Sequence, residues 1–227
     1  MMKSSSASSS SASQGGVVVT HVGGTHLHRA RRHWLAAGTA LLMALGLPAC
    51  TKQEKLAFKL TDLSGADYGN ELSLTDGVTG KPVTLQDLKG KVVFLFFGFA
   101  QCPDICPTTL LKAKEVKEAL GQEAKRLQVV FVTLDPERDT PEVLKAYVPS
   151  FDESFMGLRG DDTATKKAAR EFRVFYQKVP NQDGSSYTID HTAASYVIDK
   201  NGTLRLLVRY TDSVDDIVHD LKLLLKA

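Results

Sequence analysis

Cys102 and Cys106, separated by Pro103-Asp104-Ile105, are the residues of this chain whose type and spacing could do chemistry. Thiols act as thiolates, whether they ligate a metal or attack a disulfide, so their surroundings decide their use. The apolar run Val92 to Phe97 ends just before them. Thr108 to Leu120 follows, with Leu110, Leu111, Val116 and Leu120 at helical spacing. Pro107 turns the residue before it away from helical dihedrals and itself suits the first helical position, so the helix is expected to begin at Pro107. Both sulfurs then lie on a short loop stiffened by Pro103, at a helix N-terminus whose positive dipole end lowers thiol pKa. A purely stabilising disulfide here would close a very short loop and remove little chain entropy. Metal binding and redox exchange are the better uses of the pair.

The elements that must position these thiols follow from pattern. After the polar stretch Thr51 to Lys55, the segment Phe58 to Lys91 alternates apolar and polar residues around Gly65, Gly69, Gly77 and Gly80, which predicts one or two short strands. Val92 to Phe97 is a strand buried on both faces, Leu127 to Leu134 another, and the helix between them makes a β-α-β unit. Thr140-Pro141 opens a helix that ends near Pro149, and a second covers Thr163 to Phe172. Ser195 to Asp199 and Leu204 to Tyr210 pair antiparallel through Asn201-Gly202. Val214, Ile217, Val218, Leu221, Leu224 and Leu225 share one face of a last helix. This order predicts an α/β, thioredoxin-like fold: a central mixed sheet flanked by helices, with an N-terminal β extension. With no internal repeat, one domain over 58–227 is expected.

Beyond residue 49 the soft or borderline metal ligands are few: Cys50, Cys102, Cys106, Met156, His191 and His219. His191, between Asp190 and Thr192, falls in the loop before the Ser195 strand, and in a thioredoxin-like fold that loop passes beside the first helix's N-terminus. Asp190 could orient His191 or complete a metal shell. His219 falls off the apolar face of the last helix and is expected in solvent. Thiol-disulfide exchange remains the alternative use of the cysteines. Against it, three residues separate them where the usual redox motif has two, and no proline follows Pro180 to supply the cis-proline that faces the thiols of ordinary thioredoxins. A peroxiredoxin needs Thr or Ser three positions before its reactive cysteine, where Phe99 and Pro103 stand here. Asp135 to Pro141, at the carboxyl end of a buried strand, reads as turn and helix-capping residues, with partner docking as its functional use.

The first 49 residues differ from the rest of the 227. A Ser-rich stretch leads to Arg29, Arg31 and Arg32, and then to an apolar run from Trp34 to Leu47, the order of a signal peptide. That run is short for the roughly 20 apolar residues of a membrane span. Leu47-Pro48-Ala49-Cys50 resembles a bacterial lipoprotein cleavage box. The expected plan is therefore a leader over 1–49, a lipidated Cys50 heading a tether over 50–57, and anchorage on the outer face of the bacterial cytoplasmic membrane. The leader holds four basic residues and no acidic one, so its removal leaves 24 basic against 26 acidic side chains, a net of −2. The whole-chain pI near 8.3 comes from the leader and gives no footing for nucleic-acid binding.

Gly98-Phe99-Ala100-Gln101-Cys102-Pro103-Asp104-Ile105-Cys106-Pro107, with Asp190-His191 downstream, resembles the Sco/SenC family. The resemblance extends over Thr84-Leu85-x-Asp87-Leu88-x-Gly90-Lys91, Asp135-Pro136-Glu137-Arg138-Asp139-Thr140-Pro141 and Tyr196-Val197-Ile198-Asp199. It implies a thioredoxin-like copper protein that helps assemble the binuclear copper centre of cytochrome c oxidase. Cys102, Cys106 and His191 would be its ligands, oxidase subunit II its recipient, and a thiol reductant or another copper chaperone its further partner. Ala100-Gln101 departs from the threonine often found ahead of the first cysteine. The donor chemistry agrees, since two thiolates and an imidazole suit Cu(I), whereas a structural zinc site wants four protein ligands. A Cys102–Cys106 disulfide would consume both thiolates, which links redox state to copper.

Overall fold

The computed structural model describes residues 56–227. The leader and Cys50 lie outside them. Three short strands open the described chain, β1 (Thr61–Asp62), β2 (Ser73–Asp76) and β3 (Pro82–Thr84). Then come β4 (Val92–Gly98), α1 (Ile105–Leu120), β5 (Leu127–Thr133), α2 (Pro141–Tyr147), β6 (Met156–Arg159) and α3 (Asp162–Glu171). The chain finishes with β7 (Tyr176–Pro180), β8 (Tyr187–His191), β9 (Ala194–Ile198), β10 (Leu204–Arg209) and α4 (Val214–Lys226). Eight strands form one mixed sheet in the order β1-β10-β9-β4-β5-β6-β2-β3, while β7 and β8 pair only with each other.

β4 lies inside the sheet because all seven of its residues are buried, as a continuous run of Val, Leu and Phe demands. It runs parallel to β5, with Phe94 opposite Val129, and antiparallel to β9, with Phe94 opposite Val197. Its side chains alternate between two cores. Val92, Phe94 and Phe96 pack with Leu110, Ala113 and Val116 of α1 and Ile217, Leu221 and Leu224 of α4. Val93, Leu95 and Phe97 pack with Ala168, Ala169 and Phe172 around α3. Full burial contributes roughly 1.5–3 kcal/mol for each such side chain, and the two-sided layering clamps the carboxyl end of β4, from which the cysteine loop departs.

α2 with its Thr140 cap, α3, the β9–β10 hairpin and α4 stand where pattern puts them, while Phe58 to Lys91 forms three short strands rather than one or two. Three further features differ. A strand, β6, runs parallel to β5 between α2 and α3. The helix carrying the second cysteine starts at Ile105, two residues before the expected Pro107, so Cys106 belongs to its first turn. Proline is tolerated there because the first four helical N–H groups have no intrahelical partner to lose. His191 is not on a loop but ends β8, in a ribbon outside the main sheet.

Candidate metal centre

The cysteine loop leaves β4 at Gly98, and no larger residue fits there. A Cβ at this position would stand 2.8 Å from the Cys106 sulfur and 2.8 Å from the Phe96 ring. The loop closes with Cys102 N–H donating to the Phe99 carbonyl at 3.2 Å. The Cys106 amide, in the first turn of α1, donates to Cys102 Sγ at 3.4 Å. A sulfur thus occupies the place of a helix N-cap, since the Asp104 side chain makes no capping bond.

The two thiols are not equivalent. Cys102 is partly exposed, and its pKa is lowered to about 4, chiefly by the Cys106 thiol and then by His191 and the backbone amides of the helix start. Cys106 is fully buried, and its hydrogen bond to the Cys102 sulfur together with burial pushes its thiol well above the ordinary range. Cys102 is therefore the thiolate near neutrality and Cys106 keeps its proton. Iodoacetamide is expected to modify Cys102 of the native reduced chain at a rate that holds nearly constant from pH 8 to pH 6 and falls only towards pH 4. Cys106 is expected to react only after unfolding. Peptide mapping checks both, and a Cys102 rate dropping tenfold per pH unit below pH 8 would overturn the assignment.

β8 brings His191 to the same place. Its Nε2 lies 3.6 Å from Cys106 Sγ, and its Nδ1 lies 3.0 Å from the Thr192 carbonyl oxygen. A carbonyl can only accept, so Nδ1 donates there, and Nε2 is the ring atom turned towards the sulfurs, where it can donate to a thiolate or, without a proton, ligate a metal. Phe96 and Phe99 meet the imidazole edge-on, with ring centroids 6.1 and 6.0 Å away, and fix its plane. Asp190, exposed on the outer side of β8, is not the partner of Nδ1; the Thr192 carbonyl is.

The three donor atoms lie within 4.8 Å of one another, the one such cluster of three or more Cys, His or carboxylate donors among the described residues. Metal bonds of about 2.3 Å to sulfur and 2.0–2.1 Å to nitrogen set neighbouring ligands roughly 3.5–4 Å apart, so an ion fits between them with little movement. An open cavity of about 220 Å³, lined by Cys102, Pro103, Ile105, Ile189 and His191 among others, leaves one side accessible. His219 takes no part: its Nδ1 is 2.8 Å from Asp220 Oδ1 on α4, with the side chain 44% exposed. Met156 packs against the second core.

Sequence reasoning missed the support beneath the site. Asp139, expected only to help cap a turn, is fully buried; its Oδ2 accepts from the Ala100 amide at 3.0 Å and from the Thr133 hydroxyl at 2.5 Å. Burial raises its pKa and those two hydrogen bonds oppose the rise. Asp135, also fully buried, bonds Arg138 and accepts from the Tyr187 hydroxyl at 2.8 Å. The signal was present as a charged run at the carboxyl end of a buried strand.

Residues 61–226 match the SCO1/SenC family model. The chain belongs to the SCO1/SenC family. Among its relatives, a SCO2-like protein of Rickettsia prowazekii is 45% identical over 116 residues, 51% of this chain and 57% of that protein. The chain spans between 57% and 65% of the length of the four rickettsial SCO2-like proteins it matches. The structure of Bradyrhizobium japonicum ScoI with copper bound is 40% identical, with a TM-score of 0.63, and covers 69% of this chain and 99% of that one. BsSco, described as a member of the Sco family of cytochrome c oxidase assembly proteins with a disulfide switch, shares the fold at 22% identity and a TM-score of 0.54, over 70% of this chain and 94% of that one. The thioredoxin-like fold expected from element order is the SCO1/SenC fold seen here.

Proposed function

We propose that Cys102, Cys106 and His191 bind one copper ion and that the protein delivers it to, or prepares, the binuclear copper site of cytochrome c oxidase, with subunit II as recipient. The observation that carries this reading is the convergence of two sulfurs and an imidazole nitrogen within 4.8 Å beside an open cavity. Three donors with one open side can both hold a soft ion and pass it to an incoming ligand, which a closed four-ligand site does poorly. Membership of the family and the copper-bound ScoI neighbour support the choice of metal.

Titration of Cu(I) into the reduced full chain against a competing chelator tests it. One equivalent is expected to bind. Uptake by a Cys102→Ser, Cys106→Ser double variant equal to that of the native chain would overturn the site.

The asymmetry of the thiols supports a second use. Cys102 thiolate can attack a disulfide of a recipient protein, and Cys106, on losing its proton, can displace the resulting mixed disulfide. This releases a dithiol recipient and leaves a Cys102–Cys106 disulfide, two electrons having passed to the recipient. A thiol reductant would then restore the pair, which makes both uses available to one site.

Membrane anchorage belongs to the same proposal. Among the described residues no helix is long and apolar enough to cross a membrane. Attachment is assigned to Cys50, cleaved after Ala49 and lipidated, outside the described residues. Mass spectrometry of the membrane fraction is expected to find a diacylglyceryl-modified Cys50 at the N-terminus; an intact leader on the mature protein would refute this.

A further inference from the structure

The ribbon β7–β8 shares no strand pairing with the main sheet, yet its last residue is His191. Its base is tied by Thr192, whose amide donates to the Phe175 carbonyl at 3.0 Å and whose hydroxyl accepts from the Phe175 amide at 3.1 Å. Ile189 buries its side chain in the first core. Tyr176 and Tyr187 pack against the first core as well, and a polar grip from the turn after β5 takes hold of both strands.

Arg138 stands at the centre of that grip. Its Cζ is 3.7 Å from the centroid of the Tyr187 ring, its Nη1 donates to the Tyr187 carbonyl at 2.7 Å, and its Nε bonds buried Asp135. The Tyr187 hydroxyl reaches Asp135 at 2.8 Å and Glu137 at 3.3 Å. On the neighbouring strand, Lys178 donates to Glu137 at 2.6 Å and lies 4.6 Å from the Tyr187 ring centroid. A planar guanidinium that stacks on the Tyr187 ring and donates two hydrogen bonds fixes its partner in orientation as well as position, which a lysine does not. Its inward side faces Phe99, 6.0 Å from the ring that meets His191.

The far end of the same turn holds the other half of the site. Asp139 accepts the amide of Ala100, in the loop that carries Cys102. The Thr133 hydroxyl, donating to Asp139 and accepting from the Asp135 amide at 2.9 Å, joins the two ends into one buried network.

We propose that the turn Asp135 to Asp139 is the brace of the copper site. One end holds the sulfurs and the other holds the ribbon, so the turn sets the distance between thiolates and imidazole before a metal arrives. Arg138 and Tyr187 are positioning residues: they touch no donor atom and act on copper only through His191. This rests on the reading that His191 is a ligand, and the experiment separates the two.

Copper affinity is measured by chelator competition for the full chain carrying Arg138→Gln or Tyr187→Phe, each with His191 present and with His191→Ala. Outer partners of metal ligands typically contribute 10 to 100-fold to affinity. Arg138→Gln is expected to lose about tenfold, at the lower end because it acts at one remove. Tyr187→Phe, which keeps the stacked ring and drops only the hydroxyl bonds, is expected to lose less. In the His191→Ala background neither change is expected to alter affinity by more than about twofold. Nitrogen coupling in the Cu(II) paramagnetic resonance spectrum is expected to weaken in Arg138→Gln, a change that general loosening of the fold would not single out. Native affinity and native nitrogen coupling in Arg138→Gln would overturn the brace, and so would an equal loss in both backgrounds. Should Arg138→Gln fail to fold, Tyr187→Phe decides by the same comparison. Native affinity in His191→Ala alone would instead overturn the ligand assignment.

Discussion

Replacing His191 with alanine is expected to weaken copper binding by at least about tenfold to a hundredfold while thiol-disulfide exchange stays within about tenfold of the native rate. Changes one shell out from a metal typically cost 10 to 100-fold in affinity, so loss of a direct bond should cost no less. The alanine leaves Cys102 and Cys106 in place, held by the Ala100–Asp139 bond and by the first turn of α1. Exchange depends on the Cys102 thiolate, which owes its low pKa first to Cys106 and only secondarily to His191. His219→Ala is the control, because that imidazole bonds its chain neighbour Asp220 on α4 and contributes no donor to the cluster. Chelator competition gives the affinity, and reduction of a copper-free, disulfide-bonded recipient domain gives the exchange rate. Equal affinity for the native chain and His191→Ala would sink the three-ligand site.

Oxidation of the two cysteines is expected to abolish tight copper binding, and reduction to restore it. Joining Cys102 to Cys106 passes two electrons and the Cys106 proton to an oxidant and converts the Cys102 thiolate and the Cys106 thiol into a disulfide, a poor ligand. Only His191 then remains of the cluster. The loss is expected to exceed that of His191→Ala, since two ligands go instead of one. Proton competition has the same origin. Cys106 holds its proton in the metal-free protein, so copper must displace it, and affinity is expected to rise with pH as that proton becomes easier to remove. The fully oxidised chain, with its thiol count checked by alkylation and mass, is compared with the reduced chain in the same competition assay. Equal uptake by both forms would show that the sulfurs are not the ligands.

The parts of this architecture legible in the sequence are those in which one physical cause acts alone. Val92 to Phe97 reads as a buried strand because every residue is apolar, and Asn201-Gly202 reads as a hairpin because few other pairs suit that turn. The α1 start was displaced because two rules compete at Cys106. The residue before a proline avoids the helical region, yet the first turn can take proline without losing a hydrogen bond, and the amide-to-sulfur contact from Cys106 to Cys102 favours the helix. β7 and β8 are not legible because a ribbon only partly buried along both strands lacks a clean apolar alternation. The donor set itself was legible by scarcity, since so few thiols and imidazoles lie beyond residue 49. What no spacing could reveal is that Asp135, Arg138 and Asp139 bond inward, because a charged run at a strand end looks the same whether it faces water or the partly buried Tyr187.

The pairing of β4 with β9 also bears on timing. The strand that feeds the cysteine loop is completed by a partner about one hundred residues further along, and His191 follows Cys106 by 85 positions. Lys59 and Leu60, near the start of the described chain, donate their amides to Asp220, some 160 positions on. Contacts of such long sequence separation form late, after the entropy of closing large loops has been met. While the chain is still being synthesised or threaded through a pore, its two thiols are on hand but the third donor and the frame behind it do not yet exist. A site built on all three residues is thereby complete only once β8 and β9 have emerged, and a product truncated before His191, however intact its cysteines, lacks the third donor.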